Sequence, residues 1–135
     1  MSMVLVIEDD VEIRATLRMA LEDDGYSVLE AQNGEDAINQ LRTQCEPMVV
    51  LLDLLLPLLS GEDILKLVAA DKTLATRHAY ILLTAAHQSF HPSFVALLEE
   101  LQVPVIHKPF DLDDLFKVVT EATQRVGADS PPTLT

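Results

Sequence analysis

Val4-Leu5-Val6-Ile7 is an unbroken apolar run that stops abruptly at Glu8-Asp9-Asp10. A run that does not alternate predicts a strand buried on both faces. Past the acids, Val11, Ile13, Leu17, Ala20 and Leu21 recur at helical spacing. Asp10 suits the N-cap of that helix and Gly25 its C-terminal stop. Tyr26 to Ala31 predicts a second strand and Asn33-Gly34 a turn, and Ala37, Ile38 and Leu41 mark a second helix. Met48 to Leu52 predicts a third strand, the most apolar one. Ser60 caps a third helix through Ile64, Leu65, Leu67 and Val68. Tyr80 to Leu83 predicts a fourth strand ending at Thr84. Pro92 fits the first turn of a fourth helix that runs to about Leu101. Val103 to Ile106 predicts a fifth strand, and Pro104, which lacks an N–H, makes it an edge strand. Asp111 to Arg125 predicts the last helix.

Strands alternating with helices imply an α/β fold: a parallel sheet covered on both faces. The 135 residues suit one domain, expected over 1–127. Gly127 and Pro131-Pro132 predict a flexible tail or the start of a linker over 128–135. The single Cys45 allows no internal disulfide, which fits a reducing, cytoplasmic setting. The start of the chain has no basic segment before its apolar run, so no secretory leader is expected. No apolar stretch approaches the roughly 20 residues of a membrane span. The formal net charge is −13, from 22 acids against 9 Lys plus Arg. Such a domain repels phosphate backbones, which argues against direct binding to nucleic acid or anionic membranes. Cations and basic protein surfaces are its natural ligands.

Asp53 stands out because its neighbours, Met48 to Leu52 and Leu54 to Leu59, are otherwise apolar but for Pro57. An unpaired carboxylate there is expensive, so Asp53 either ends the strand at its open tip or meets a cation. The predicted strand ends carry Glu8 and Asp9, Asp53, Thr84 and Lys108. In a parallel sheet these ends share one edge, where open α/β sheets bind ligands. Three carboxylates in one cleft repel one another unless a counter-ion is present. A hard divalent cation resolves this, and Mg²⁺ suits a few carboxylates with a backbone carbonyl and waters, with Mn²⁺ as a substitute. A cation, Lys108 and the Thr84 hydroxyl together match the oxygens of a phosphoryl group. Asp53 would then act as a carboxylate nucleophile.

These segments resemble the receiver domain of the two-component response-regulator family, in its chemotaxis-regulator-like form. The resemblance lies in four motifs in order: Val4 to Asp10, Asp53 to Pro57 with Ser60-Gly61, Leu82-Leu83-Thr84-Ala85, and Lys108-Pro109-Phe110. It implies a flavodoxin-like doubly wound sheet of strand order 2-1-3-4-5, for which a receiver of this family is itself the standard illustration. It implies that Asp53 accepts a phosphoryl group from a histidine kinase or histidine phosphotransfer protein. Glu8, Asp9, Asp53 and the backbone carbonyl of Leu55 would hold Mg²⁺, Glu8 through water. Thr84 would hydrogen-bond the phosphoryl group and Lys108 would pair with it. The Lys108–Pro109 bond would be cis, an isomer found essentially only before proline. The domain would catalyse its own phosphotransfer and dephosphorylation rather than turn over a substrate as an enzyme. Its partners would include a downstream output domain or protein, and the helix 4–strand 5–helix 5 face would be the place for a homodimer.

Several positions depart from the family pattern. Val105 stands where an aromatic ring usually couples to the Thr, which implies altered coupling to that face. Leu55 and Ala86, two residues past Asp53 and Thr84, are apolar where polar side chains orient attacking water, which implies slow autohydrolysis. Leu58 and Leu59 are either a docking patch or a cover over the core. Among the rest, His87 and His91 straddle a loop and make a poor metal pair, His107 ends a strand, and Cys45 packs at a helix end. The alternative function is a degenerate receiver serving as a constitutive interaction or dimerisation module, with Val105 as its support. A phosphohydrolase would need an acid at the position of Leu55.

Overall fold

A computed structural model describes residues 2–85 and 89–129. Five parallel strands, β1 (Met3–Ile7), β2 (Ser27–Ala31), β3 (Val49–Asp53), β4 (Ala79–Thr84) and β5 (Val105–His107), lie in the order β2-β1-β3-β4-β5. Among the described residues they are joined by helices α1 (Val11–Asp23), α2 (Gly34–Thr43), α3 (Gly61–Ala69), α4 (Lys72–Arg77), α5 (Pro92–Glu100) and α6 (Leu112–Asp129). The expected strand order is therefore present, and β5 is an edge strand.

The apolar runs do not alternate because both sheet faces are covered. Leu5, Ile7, Val50, Leu52, Tyr80 and Leu82 face one core, built with Ala37, Leu41, Ile64, Val68, Leu74 and Phe94 from α2 to α5. Val4, Val6, Val49, Leu51, Ile81 and Leu83 face the other, built with Leu17 and Leu21 of α1 and Leu115 and Val119 of α6. All of β3 is buried. It therefore belongs to both cores, and its end is held rigidly.

Local chemistry sets the helix starts. Asp10 caps α1, accepting from the N–H groups of Glu12 at 2.9 Å and Ile13 at 3.1 Å. Ser60 and Asp63 form a reciprocal capping box on α3. Pro92 opens α5, and the side chain of His91 accepts from Ser93 N–H at 3.1 Å. Gly25 follows α1 at φ +97°, a conformation open to glycine without a Cβ clash. Asn33, by contrast, does more than turn the chain: its side chain accepts from Asp36 N–H and caps α2.

Three expectations are corrected. The six-residue α4, capped by Asp71, has no counterpart in the predicted elements, because one buried leucine gives no periodicity to find. The last helix continues past Arg125 through Gly127 to Asp129, since a single glycine costs a helix only about 1 kcal/mol. Cys45 is exposed rather than packed, because α2 has already ended at Thr43. The remainder of the expected tail, 130–135, and the positions of Ala86 and His87 lie outside the described residues.

His78 ties the closed end of the sheet together. Its buried Nδ1 accepts the Met48 N–H at 3.0 Å, so the ring proton resides on Nε2, which donates to the Leu41 carbonyl at 3.2 Å. Burial first, and the nearby Arg77 as well, hold its pKa below the usual histidine value. The neutral ring is thus part of the fold. Its contribution is complete above the unfolded-state value of about 6.5 and is lost as pH falls toward the depressed folded value. His78→Leu orphans a donor and an acceptor, and should cost about 3 kcal/mol in urea unfolding at neutral pH. The variant should also show a flatter decline in stability between pH 7.5 and 5.5 than the parent chain.

Candidate functional site

The open edge of the sheet gathers the candidate residues. β1 and β3 pair in register up to Ile7 and Leu52. Glu8 and Asp53 therefore follow at matched positions on adjacent strands. Asp53 pairs in turn with Leu83, one residue before Thr84, and Thr84 pairs with His107, one residue before Lys108. The Lys108 N–H donates to the Thr84 carbonyl at 2.8 Å. Register alone thus draws residues distant in sequence to one edge.

Lys108 lies between the two buried acids. Its Nζ donates to Glu8 Oε1 at 2.9 Å and to Asp53 Oδ2 at 3.2 Å. Burial works against its charge, but the two carboxylates outweigh this and raise its pKa. Glu8, 1% exposed, has a raised pKa, first from burial and then from the Asp53 carboxylate beside it, with Lys108 opposing. Carboxylate oxygens of Glu8, Asp9 and Asp53 lie within 4.8 Å of one another. One ammonium against three acids leaves the cluster short of positive charge. Oxygen donors at that spacing fit a hard divalent cation.

The loop after Asp53 is shaped around it. Asp53 Oδ1 accepts the Leu55 N–H at 3.2 Å, and Gly61 N–H donates to the Leu54 carbonyl at 2.8 Å. A Cβ on Gly61 would stand 2.7 Å from the Asp53 carbonyl oxygen. Only glycine lets α3 begin this close to the strand end. Leu58 and Leu59 differ in burial. Leu59 packs against the core, whereas Leu58 is 92% exposed at φ 71°, a backbone region uncommon for a leucine. Leu55 is also exposed, while Val105 is partly buried against the core. Lys108–Pro109 is cis, as the motif implies.

The structure brings Glu8, Asp9, Asp53, Thr84 and Lys108 to one edge. His107 and Cys45 are exposed, and Cys45 lies beyond α2, away from the cluster. One neighbour has no signal in the periodicity. Arg14, in the second turn of α1, donates from Nη1 to the Glu8 carbonyl at 2.7 Å. The only hint of it in the chain is Glu30, a charged residue inside β2 that pairs with Arg14 Nε at 2.8 Å.

Comparisons with known proteins give the family and the fold. The family model for the response regulator receiver domain matches residues 4–120. The response regulator MprA of Mycobacterium sp. (strain KMS) is 30% identical over 129 residues, covering 96% of this chain and 54% of its own length. The transcriptional regulatory protein AfsQ1 of Streptomyces coelicolor is 32% identical over 133 residues, covering 96% of this chain and 56% of its own. The chain therefore spans about half the length of these curated relatives. A CheY-like receiver domain from Methanospirillum hungatei JF-1 superposes with a TM-score of 0.81 at 28% identity, covering 94% of this chain and 98% of that one. This chain belongs to the response regulator receiver domain family of two-component systems. No helix among the described residues is long and apolar enough to cross a membrane.

The charge imbalance makes a testable prediction. Ionised Glu8 is disfavoured in the fold, so the cation-free protein loses stability as pH rises from the ordinary carboxylate range through the elevated Glu8 value. Glu8→Gln keeps the shape and removes one charge. Above that range its cation-free form should be more stable by on the order of 1 kcal/mol and so unfold at a higher temperature. Calorimetric unfolding in a chelator checks the sign, and a lower midpoint for the variant contradicts it.

Proposed function

We propose that this domain accepts a phosphoryl group on Asp53 from a phosphohistidine, supplied by a histidine kinase or histidine phosphotransfer protein, and relays the change to an output domain or protein. The observation that carries this is the Lys108 ammonium shared between Glu8 and Asp53, beside an acidic trio spaced for a divalent cation. Asp53 Oδ2 attacks phosphorus, the phosphorus–nitrogen bond breaks, and the imidazole leaves and takes up a proton. Lys108 turns from the carboxylate toward the arriving phosphoryl oxygens, and the Thr84 hydroxyl donates to one of them. Glu8, Asp9, Asp53 and the Leu55 carbonyl would hold Mg²⁺, or Mn²⁺ in its place, which would withdraw charge from the transferring group. The setting that fits this relay is the cytoplasm, and the α5–β5–α6 face is the proposed surface for a homodimer.

Incubation with Mg²⁺ and a small-molecule phosphodonor should give one base-labile phosphoryl adduct by intact mass, absent from Asp53→Asn. No adduct on the parent chain favours the degenerate interaction module instead.

Two apolar side chains tune the output. Leu55 projects into solvent beside Asp53 and has no polar atom to orient attacking water. The aspartyl phosphate should therefore persist well beyond seconds without a phosphatase, and a lifetime of seconds contradicts this. Val105 has no ring to follow Thr84. A phosphate mimic should therefore shift amide resonances on the α5–β5–α6 face less than in receivers with an aromatic residue there.

A further inference from the structure

Glu8 and Asp9 lie in the three-residue link between β1 and α1, and one peptide plane joins them. The orientation of that plane sets ψ of Glu8 and φ of Asp9 together, because the peptide unit is rigid. Asp9 is exposed, so its position relative to Asp53 rests on this backbone. The ladder between β1 and β3 ends at Ile7 and Leu52, one residue short of Glu8. The Glu8 N–H still reaches the Ala31 carbonyl at 3.2 Å. Its carbonyl is met by Arg14, whose Nη1 donates at 2.7 Å, a short charge-assisted bond.

Arg14 is itself held in place. Its Nε pairs with Glu30 Oε1 at 2.8 Å, and its side chain is mostly buried. Glu30 is gripped from its other oxygen by Arg18, which also pairs with Glu22 at 3.2 Å. The Glu30 carbonyl accepts from Gln40 Nε2 at 2.7 Å. Arg14 therefore bridges the β1–α1 link to a fixed point on β2. Two cations and two anions alternate along Arg14, Glu30, Arg18 and Glu22, so the brace adds no net charge beside the acidic cluster.

We propose that Arg14 is a positioning residue for the cation site: it fixes the Glu8–Asp9 peptide plane, and so the spacing of both carboxylates from Asp53. This rests on the reading of the acidic trio as a divalent-cation site. The sign of the effect separates geometry from charge. Removing a positive charge near a cation site would tighten binding on electrostatic grounds alone, whereas loss of the brace weakens it.

Titration calorimetry with Mg²⁺ alone, on the full chain, tests this. Arg14→Met should weaken binding about tenfold, the scale on which outer-shell partners act. Arg14→Lys, which keeps one donor, should recover part of the loss. Arg18→Met shares the network but does not touch Glu8, and should bind as the parent does. Unfolding in chelator reports whether each variant folds. If Arg14→Met does not, Arg14→Lys and Glu30→Gln carry the test, each with an intermediate loss expected. Unchanged or tighter binding in the folded Arg14 variants, or an equal loss in Arg18→Met, overturns the positioning role. Absence of Mg²⁺ binding by the parent chain is a separate result, and overturns the cation-site reading along with it.

Discussion

A single ammonium group serves two buried carboxylates: Lys108 Nζ lies 2.9 Å from Glu8 and 3.2 Å from Asp53, with Asp9 close by. Charges are held out of water only where partners meet them, and here the partners are too few. The cluster sets one ammonium against three carboxylates. Much of the remaining architecture serves to keep these groups together. β1 and β3 set Glu8 beside Asp53 through register, and the β4–β5 pairing carries Thr84 and Lys108 to the same edge.

The two cores explain why that edge is rigid while its loops differ in exposure. β3 is buried along its whole length between helices on both faces, so Asp53 cannot shift without disturbing both. The loop beyond it is free to vary except where Gly61 passes against the Asp53 carbonyl. Leu58, exposed with a left-handed backbone, sits in that loop next to a leucine that is part of the core packing. Family membership accords with the sheet and its strand order.

Much of the fold was legible from the chain because it depends on short-range chemistry. Asp10, Ser60 and Pro92 act within about a turn of themselves, so the helix starts they predict are present. The unbroken apolar runs announced strands covered on both faces. The candidate site was legible for a related reason: a charged residue ending an apolar run has few places to go. α4 and the continuation of α6 were not legible. The first is too short to show a period, and the second runs through a glycine whose cost the rest of the helix absorbs.

By itself, the sequence determined the sheet, its covered faces and the acids and lysine at its strand ends, because burial periodicity and capping are local properties. Tertiary structure alone decided which charges meet. Lys108 reaches Glu8 across 100 positions and Asp53 across 55. Arg14 meets both the Glu8 carbonyl and Glu30, which stands opposite Val6 in the β1–β2 register. Such contacts follow from strand register and helix placement, which no window of the chain contains.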